Sequence, residues 1–255
     1  MGKKVGRTLP LSIPRRLIGD LLHFARQVPS VPVQRIMNLS DLVEARARAA
    51  RRVSWCAIFT KAFARTAAQT PELRRSYLSF PWARLYEHPF SIASVAVERI
   101  YQGENAVLFA HLTCPESKTL FTLDERLRQY KTDPIESLVL FRRALAIGRL
   151  PSFVRRPGWW YALNAYGPWR AAVAGTFGVS VYSGLGAESL HPLSPLTCAL
   201  HYGVIQGDGS LPVRITYDHR VMDGATIARA LSLLEDVLHQ DVLPEIREGG
   251  AGRAA

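Results

Sequence analysis

A half-buried strand running straight through a turn into a buried helix constrains this chain more than any other feature. Val213, Ile215 and Tyr217 alternate with Pro212, Arg214 and Thr216, the period-2 pattern of a strand with one face in a core. Ile227, Leu231, Leu234 and Leu238 then recur at helical spacing, so a buried helix is predicted to begin just after Gly224. The intervening Asp218-His219-Arg220-Val221-Met222-Asp223 puts an imidazole where two rigid elements meet, a place suited to a general base. Asp223 is positioned both to cap the helix and to act electrostatically on the site. The plainer alternative is a turn histidine followed by an N-cap aspartate with no chemistry.

The rest of the chain alternates between helical and strand patterns. Pro14 opens a helix in which Leu17, Leu21, Leu22 and Phe24 share much of one face. Trp55, Ile58, Phe59, Ala62, Phe63 and Thr66 predict a second, strongly apolar helix. Thr122-Leu123-Asp124-Glu125 has capping-box spacing, so a third helix is expected to start there. Asp208-Gly209, between Leu200–Ile205 and Leu211–Tyr217, predicts a hairpin that leaves His219 at the end of its second strand. Residues 1–13 read as a flexible arm, 14–244 as one domain, and 245–255, with Gly249, Gly250 and Gly252, as a disordered tail.

Residues 135–174 stand apart. Phe141-Arg142-Arg143, Phe153-Val154-Arg155-Arg156 and Trp159-Trp160-Tyr161, punctuated by Pro151, Pro157 and Pro168, predict a basic, aromatic-rich pair of helices. They form either a hairpin covering the sheet with the tryptophans in its core, or a modified substrate pocket or membrane-surface patch.

At 255 residues and 48% hydrophobic content the chain can bury one sizeable core. No apolar run approaches the ~18 residues of a membrane span, and the basic N-terminus has no apolar stretch after it to make a signal peptide. Cys56, Cys114 and Cys198 are odd in number and far apart, giving neither a disulfide framework nor a zinc pattern, which points to a reducing cytoplasm and no metal. The net charge of +11 comes without a nucleic-acid-binding motif, and Arg46, Arg48, Arg51 and Arg52 read as a solvated helix face. A basic cleft mouth is compatible with an anionic carrier and proves none.

The run Tyr217 to Gly224 resembles the Asp-His-Arg-x-x-Asp-Gly signature of dihydrolipoamide acyltransferases, the catalytic E2 domains of 2-oxoacid dehydrogenase complexes. Gly175-Thr176-Phe177-Gly178-Val179-Ser180 is similar to the same family's Gly-Thr-Phe-Thr-Ile-Ser, although Val181-Tyr182-Ser183-Gly184 departs from the Asn-Leu-Gly that follows there. Thinner likeness extends over roughly residues 10 to 240, including Pro32 to Leu42, the Pro71-Glu72-Leu73 that closes the first long helix, and the strands from Phe90 to Leu112.

The resemblance implies an α/β, two-layer chloramphenicol acetyltransferase-like fold, a mixed sheet with helices packed on one face. It implies acyl transfer from a thioester, acyl-CoA or acyl-lipoamide, to a thiol, hydroxyl or amine. His219 would be the general base, Ser180 (or Ser183) the oxyanion donor, Asp223 an electrostatic partner and Arg220 a structural ion-pair partner. Substrate-binding residues are not identified. Coenzyme A or lipoamide enters as carrier substrate, and no metal or nucleic acid is implied. The family's sites lie between subunits, so a homotrimer is expected, without assembly into a larger cage. The competing readings are an inactive oligomeric scaffold, a peripheral membrane-associated protein built on residues 135–174, and, more remotely, a hydrolase pairing Cys114 or Cys198 with His111 or His201.

Overall fold

The computed structural model describes residues 6–251. Helix α1 (Ile13–Ala25), strand β1 (Ser30–Asn38), and helices α2 (Ser40–Arg48) and α3 (Trp55–Gln69) come first. The short strands β2 (Arg75–Leu78) and β3 (Arg84–Glu87) precede the long pair β4 (Ile92–Tyr101) and β5 (Glu104–Thr113). Four helices follow, α4 (Leu120–Thr132), α5 (Val139–Arg149), α6 (Ser152–Asn164) and α7 (Gly167–Ala174). Strands β6 (Phe177–Val179), β7 (Cys198–Tyr202) and β8 (Ser210–Asp218) then lead to α8 (Gly224–Val237) and α9 (Leu243–Ala251).

Six strands form one sheet in the order β1-β8-β7-β6-β4-β5, and β2 pairs with β3 apart from it. β6 runs parallel to both β4 and β7 while the remaining pairs are antiparallel, which makes the sheet mixed as expected. The alternation along the long strands sets its two faces. Ala93, Val95 and Val97 of β4, with Ala106, Leu108, Ala110 and Leu112 of β5, are buried in the main core. Against that face lies α3, apolar nearly all round: Phe59 stacks on Tyr202 at 4.2 Å between centroids and Phe63 meets Phe177 at 4.6 Å. Ile227, Leu231, Leu234 and Leu238 all reach the core, as their spacing predicts.

The opposite face is partly roofed. Ser94, Ala96 and Phe109 turn away from α3 toward a space enclosed by α1, α6 and α7. One buried ionic cluster fixes that roof: Asp20 of α1, 1% exposed, is bound by the Arg155 guanidinium and by Arg156 Nε at 3.0 Å, both from α6.

Several local expectations are corrected. α4 starts at Leu120 rather than at Thr122; Thr119 is the N-cap, its Oγ1 accepting from the Thr122 N–H at 3.2 Å. β7 begins at Cys198, opposite Tyr217, and residues 203–209 form the hairpin loop. Gly209 sits there at φ 82°, where glycine is favoured. Residues 135–174 fold into three helices rather than two, and their tryptophans divide: Trp169 is 55% and Trp160 39% exposed, while Trp159 is half-buried with its Nε1 enclosed. The expected tail is instead helical through Ala251. Glu245 pairs with the buried Lys61 ammonium and accepts the Leu120 N–H at 2.7 Å, and a buried charge demands such a partner. Residues 1–5 of the expected arm and 252–255 of the tail lie outside the described residues.

Candidate active site

The turn carrying His219 is clamped on both sides. The Asp218 N–H donates to Thr197 O at 2.8 Å, the His219 N–H to Pro29 O at 3.1 Å, and the Val221 N–H closes the turn on Asp218 O at 3.0 Å. The Asp218 carboxylate is buried and held by Arg220 through Nε (2.9 Å) and Nη2 (2.7 Å), a fork geometry that point charges do not provide. The same guanidinium sits 4.3 Å from the centroid of the Tyr77 ring. Arg220 is thus the structural ion-pair partner anticipated from the sequence.

The His219 ring, by contrast, is left unencumbered. It is 49% exposed, and its Nδ1 is 3.7 Å from Asp223 Oδ1, beyond hydrogen-bond distance. Asp223 is the N-cap of α8 through its backbone, its carbonyl accepting from the Thr226 N–H at 3.0 Å. Its side chain makes no cap bond and stands in solvent at 83% exposure, so the expected side-chain cap is corrected. Its charge still registers locally: burial, and then Asp223, push the Tyr217 hydroxyl pKa up.

Ser180 follows β6 and belongs to the other face of the sheet. Its N–H donates to Leu200 O at 3.3 Å and its hydroxyl is 3.5 Å from that of Tyr182. Its carbonyl receives a bond of 2.5 Å from Nδ1 of His201. A carbonyl only accepts, so Nδ1 carries the proton. Burial lowers the His201 pKa to about 4, leaving the ring neutral. Nε2 is therefore a lone pair, buried and without a protein partner among the described residues. Ser183 falls in a short 3-10 turn, Ser183–Leu185, and unlike its neighbours Tyr182 and Leu185 it does not line the cavity beside Ser180.

Ser180, His201 and Ser94 line a cavity of about 460 Å³ between the sheet and the α1–α6–α7 roof. Its roof is apolar, with Ile18, Leu21, Leu163 and Val173, and includes the Trp159 indole, whose Nε1 lacks a partner. His111 lies on its β5 side, its pKa also lowered to about 4 by burial. His111 borders a second, open depression as well, where Arg51, Lys118 and Arg126 outnumber Glu125. Among the described residues no cluster of His, Cys, Asp and Glu is arranged to hold a metal ion.

The structure does not bring Ser180 and His219 together within one chain. On the register of β7, His219 lies just past the Cys198 end and Ser180 just past Leu200. That separates them by about 17 Å along the strands and two strand spacings, ~10 Å, across them. No pair of side chains spans such a gap. The Cys198–His201 pairing of the cysteine hydrolase reading also fails on geometry. Cys198 points into the core while His201 faces the cavity, and burial pushes the thiol pKa of Cys198, and more weakly of Cys114, upward.

His201, Ser94 and Trp159 escaped the sequence reading as parts of one site. β7 is five residues long and buried throughout, so its alternation cannot be seen in polarity, and the His201–Ser180 bond depends on a parallel pairing of strands.

No family model and no curated protein matches this sequence. Solved structures do match its fold. A probable dihydrolipoamide acetyltransferase from Listeria monocytogenes is 15% identical, with 98% of each chain covered and a TM-score of 0.63. The cubic core of a pyruvate dehydrogenase multienzyme complex is 17% identical over 96% of this chain and 95% of that one, with a TM-score of 0.65. The dihydrolipoamide acetyltransferase of Azotobacter vinelandii, in which a serine, a histidine and an asparagine have been investigated for their catalytic roles, is 18% identical at a TM-score of 0.64, again over 96% and 95%. The chain therefore has the fold of dihydrolipoamide acyltransferase catalytic domains, as its sequence resemblance implied. No helix among the described residues is long and apolar enough to cross a membrane.

Proposed function

We propose that this protein is an acyltransferase that moves an acyl group from a thioester to a thiol, hydroxyl or amine acceptor. The observation that carries the reading is His219: a half-exposed, unpaired imidazole on a turn whose flanking residues are all tied down. His219 takes the acceptor's proton as the acceptor attacks the thioester carbonyl. The carbon–sulfur bond then breaks, the new acyl–acceptor bond remains, and the proton passes to the departing thiolate. An imidazole held within reach of a thiol or hydroxyl is the commonest side chain for that exchange. Ser180 donates its hydroxyl hydrogen to the oxyanion, and Asp223 steadies the imidazolium by charge.

The distance between Ser180 and His219 in one chain supports an assembly in which each site takes its serine from one copy and its histidine from the next. A closed trimer does this with one repeated heterologous contact. The carrier is acyl-CoA or acyl-lipoamide; the open basic depression at Arg51, Lys118 and Arg126 favours an anionic one.

The test follows loss of acyl-CoA or acyl-lipoamide and appearance of acylated acceptor by mass spectrometry, offering dihydrolipoamide, a primary alcohol and a primary amine. Turnover that falls about 10²- to 10⁴-fold in His219→Ala, with the fold intact, supports the reading. Unchanged turnover in that variant overturns it.

A membrane-surface role is a second reading, favoured by Phe153 and Trp169, 78% and 55% exposed on the arginine-bearing α5–α7 segment. Flotation of the protein with anionic vesicles, lost in Phe153→Ser with Trp169→Ser, tests it.

A further inference from the structure

We propose that Arg170 is a positioning residue for His219: it fixes the stretch of chain on which the histidine turn rests, and ties that turn to the roof of the cavity. The proposal rests on the acyl-transfer reading and adds a residue to its machinery. Arg170 lies on α7, 4% exposed, and both of its bonded partners are backbone carbonyls. Nη1 donates to Leu163 O at 2.6 Å and Nη2 to Pro195 O at 2.6 Å. Leu163 belongs to the last turn of α6, where carbonyls lack helical partners, and it lines the cavity. Pro195 lines the cavity too. It lies within residues 187–197, which have neither helix nor strand and so offer no ladder for their own backbone.

From Pro195 the path to the base is short. Two residues on, Thr197 O receives the Asp218 N–H at 2.8 Å, and His219 follows directly. The charge of Arg170 acts in the same place. Burial pushes its pKa down to about 10, and the Asp218 carboxylate is the group that opposes this. Arg170 is thus still a cation at neutral pH, beside an Asp218–Arg220 pair that is already formed. Burying a third charge there disfavours folding, and the bridge between two carbonyls is what that charge contributes. The helix that carries it is pinned at both ends. A Cβ on Gly167 would overlap the Tyr86 ring, and one on Gly175, at φ 86°, would lie 2.9 Å from Ile92 O.

Two substitutions test this. Lysine in Arg170→Lys keeps the cation but cannot span carbonyls from two separate elements, and methionine in Arg170→Met keeps neither charge nor bridge. In both, as folded protein, kcat should fall by about 10- to 10²-fold while KM for donor and acceptor stays within about twofold. That split marks a misplaced base beside an intact binding cavity. If Arg170→Met does not fold, Arg170→Lys decides alone. The ring of His219 is also read without turnover, by NMR of protein carrying isotope-labelled histidine, its signal assigned by its loss in His219→Ala. That signal should shift or broaden in the Arg170 variants, while His23 of α1 and His239 beyond α8 keep theirs. Wild-type kcat in the folded variants, a raised KM with kcat unchanged, or an unmoved His219 signal overturns the proposal. A His219 signal that moves as described in a protein that transfers no acyl group supports the positioning and places the failure on acyl transfer instead.

Discussion

Arg220 grips Asp218 with two nitrogens, at 2.9 and 2.7 Å, across the residue that separates them, and that residue is His219. The ion pair braces the turn that carries the imidazole, and on the proposed mechanism that is its role. Arg220→Ala should strand a buried carboxylate and destabilise the protein by about 3–5 kcal/mol. In protein that remains folded, kcat should fall at least about tenfold with little change in KM, as expected if Arg220 holds the turn and does not hold the substrate. Arg220→Lys should restore little of either, since an ammonium cannot supply the fork. Denaturant titration and steady-state kinetics on the same preparations check this.

The roof of the cavity depends on Asp20. Asp20→Ala leaves the buried Arg155 guanidinium uncompensated, with an expected loss of about 3–5 kcal/mol in urea unfolding. Replacing both partners, Asp20→Leu with Arg155→Met, should recover much of that loss, because an apolar pair of similar volume removes both desolvation costs.

Acid should weaken the fold through its histidines. Burial lowers the pKa of His88, His111 and His201 to about 4, against ~6.5 in an unfolded chain. Above pH 6.5 these rings are neutral in both states and cost nothing. As pH falls from about 6.5 to 4, the unfolded chain takes up protons the native one refuses, so stability drops through that window and levels off below it. Each ring contributes on the order of 1–3 kcal/mol to the fall. Melting temperature measured from pH 7 to 4 should decline, and His88→Asn should flatten the slope; a pH-independent melting point contradicts the assignment.

Much of this was written in local pattern. The Val213-Ile215-Tyr217 alternation and the Ile227 to Leu238 spacing place His219 at a strand-to-helix corner, and Asp208-Gly209 marks the hairpin before it. What local pattern could not carry was anything fixed by distant partners. The glycine-rich end looked disordered, yet Glu245 is drawn into helix by a lysine far back in the chain. The Thr122-x-x-Glu125 spacing suggested a helix start that Thr119 takes instead. Trp160 looked like a core residue, yet it is 39% exposed while its neighbour Trp159 turns inward, because aromatic content does not say which side of a helix meets the fold. His201 is the plainest case: a histidine in a short apolar strand became part of the candidate site only through the parallel neighbour that carries Ser180.

Ser180→Ala should lower turnover by about 10²- to 10³-fold, as loss of one oxyanion donor does, with substrate binding largely retained. Ser183→Ala should leave the rate near normal, because Ser183 does not reach the cavity.

The most direct test of the account is to mix those two defects. Ser180→Ala and His219→Ala proteins, each nearly inactive alone, are dissociated together, reassembled in equal amounts and assayed. If each site draws its serine and its histidine from different subunits, about a quarter of the sites regain both groups and activity returns to roughly that fraction of wild type. A mixture that has exchanged subunits, as mass spectrometry of the assembly can establish, yet stays as inactive as its parents would contradict the shared site.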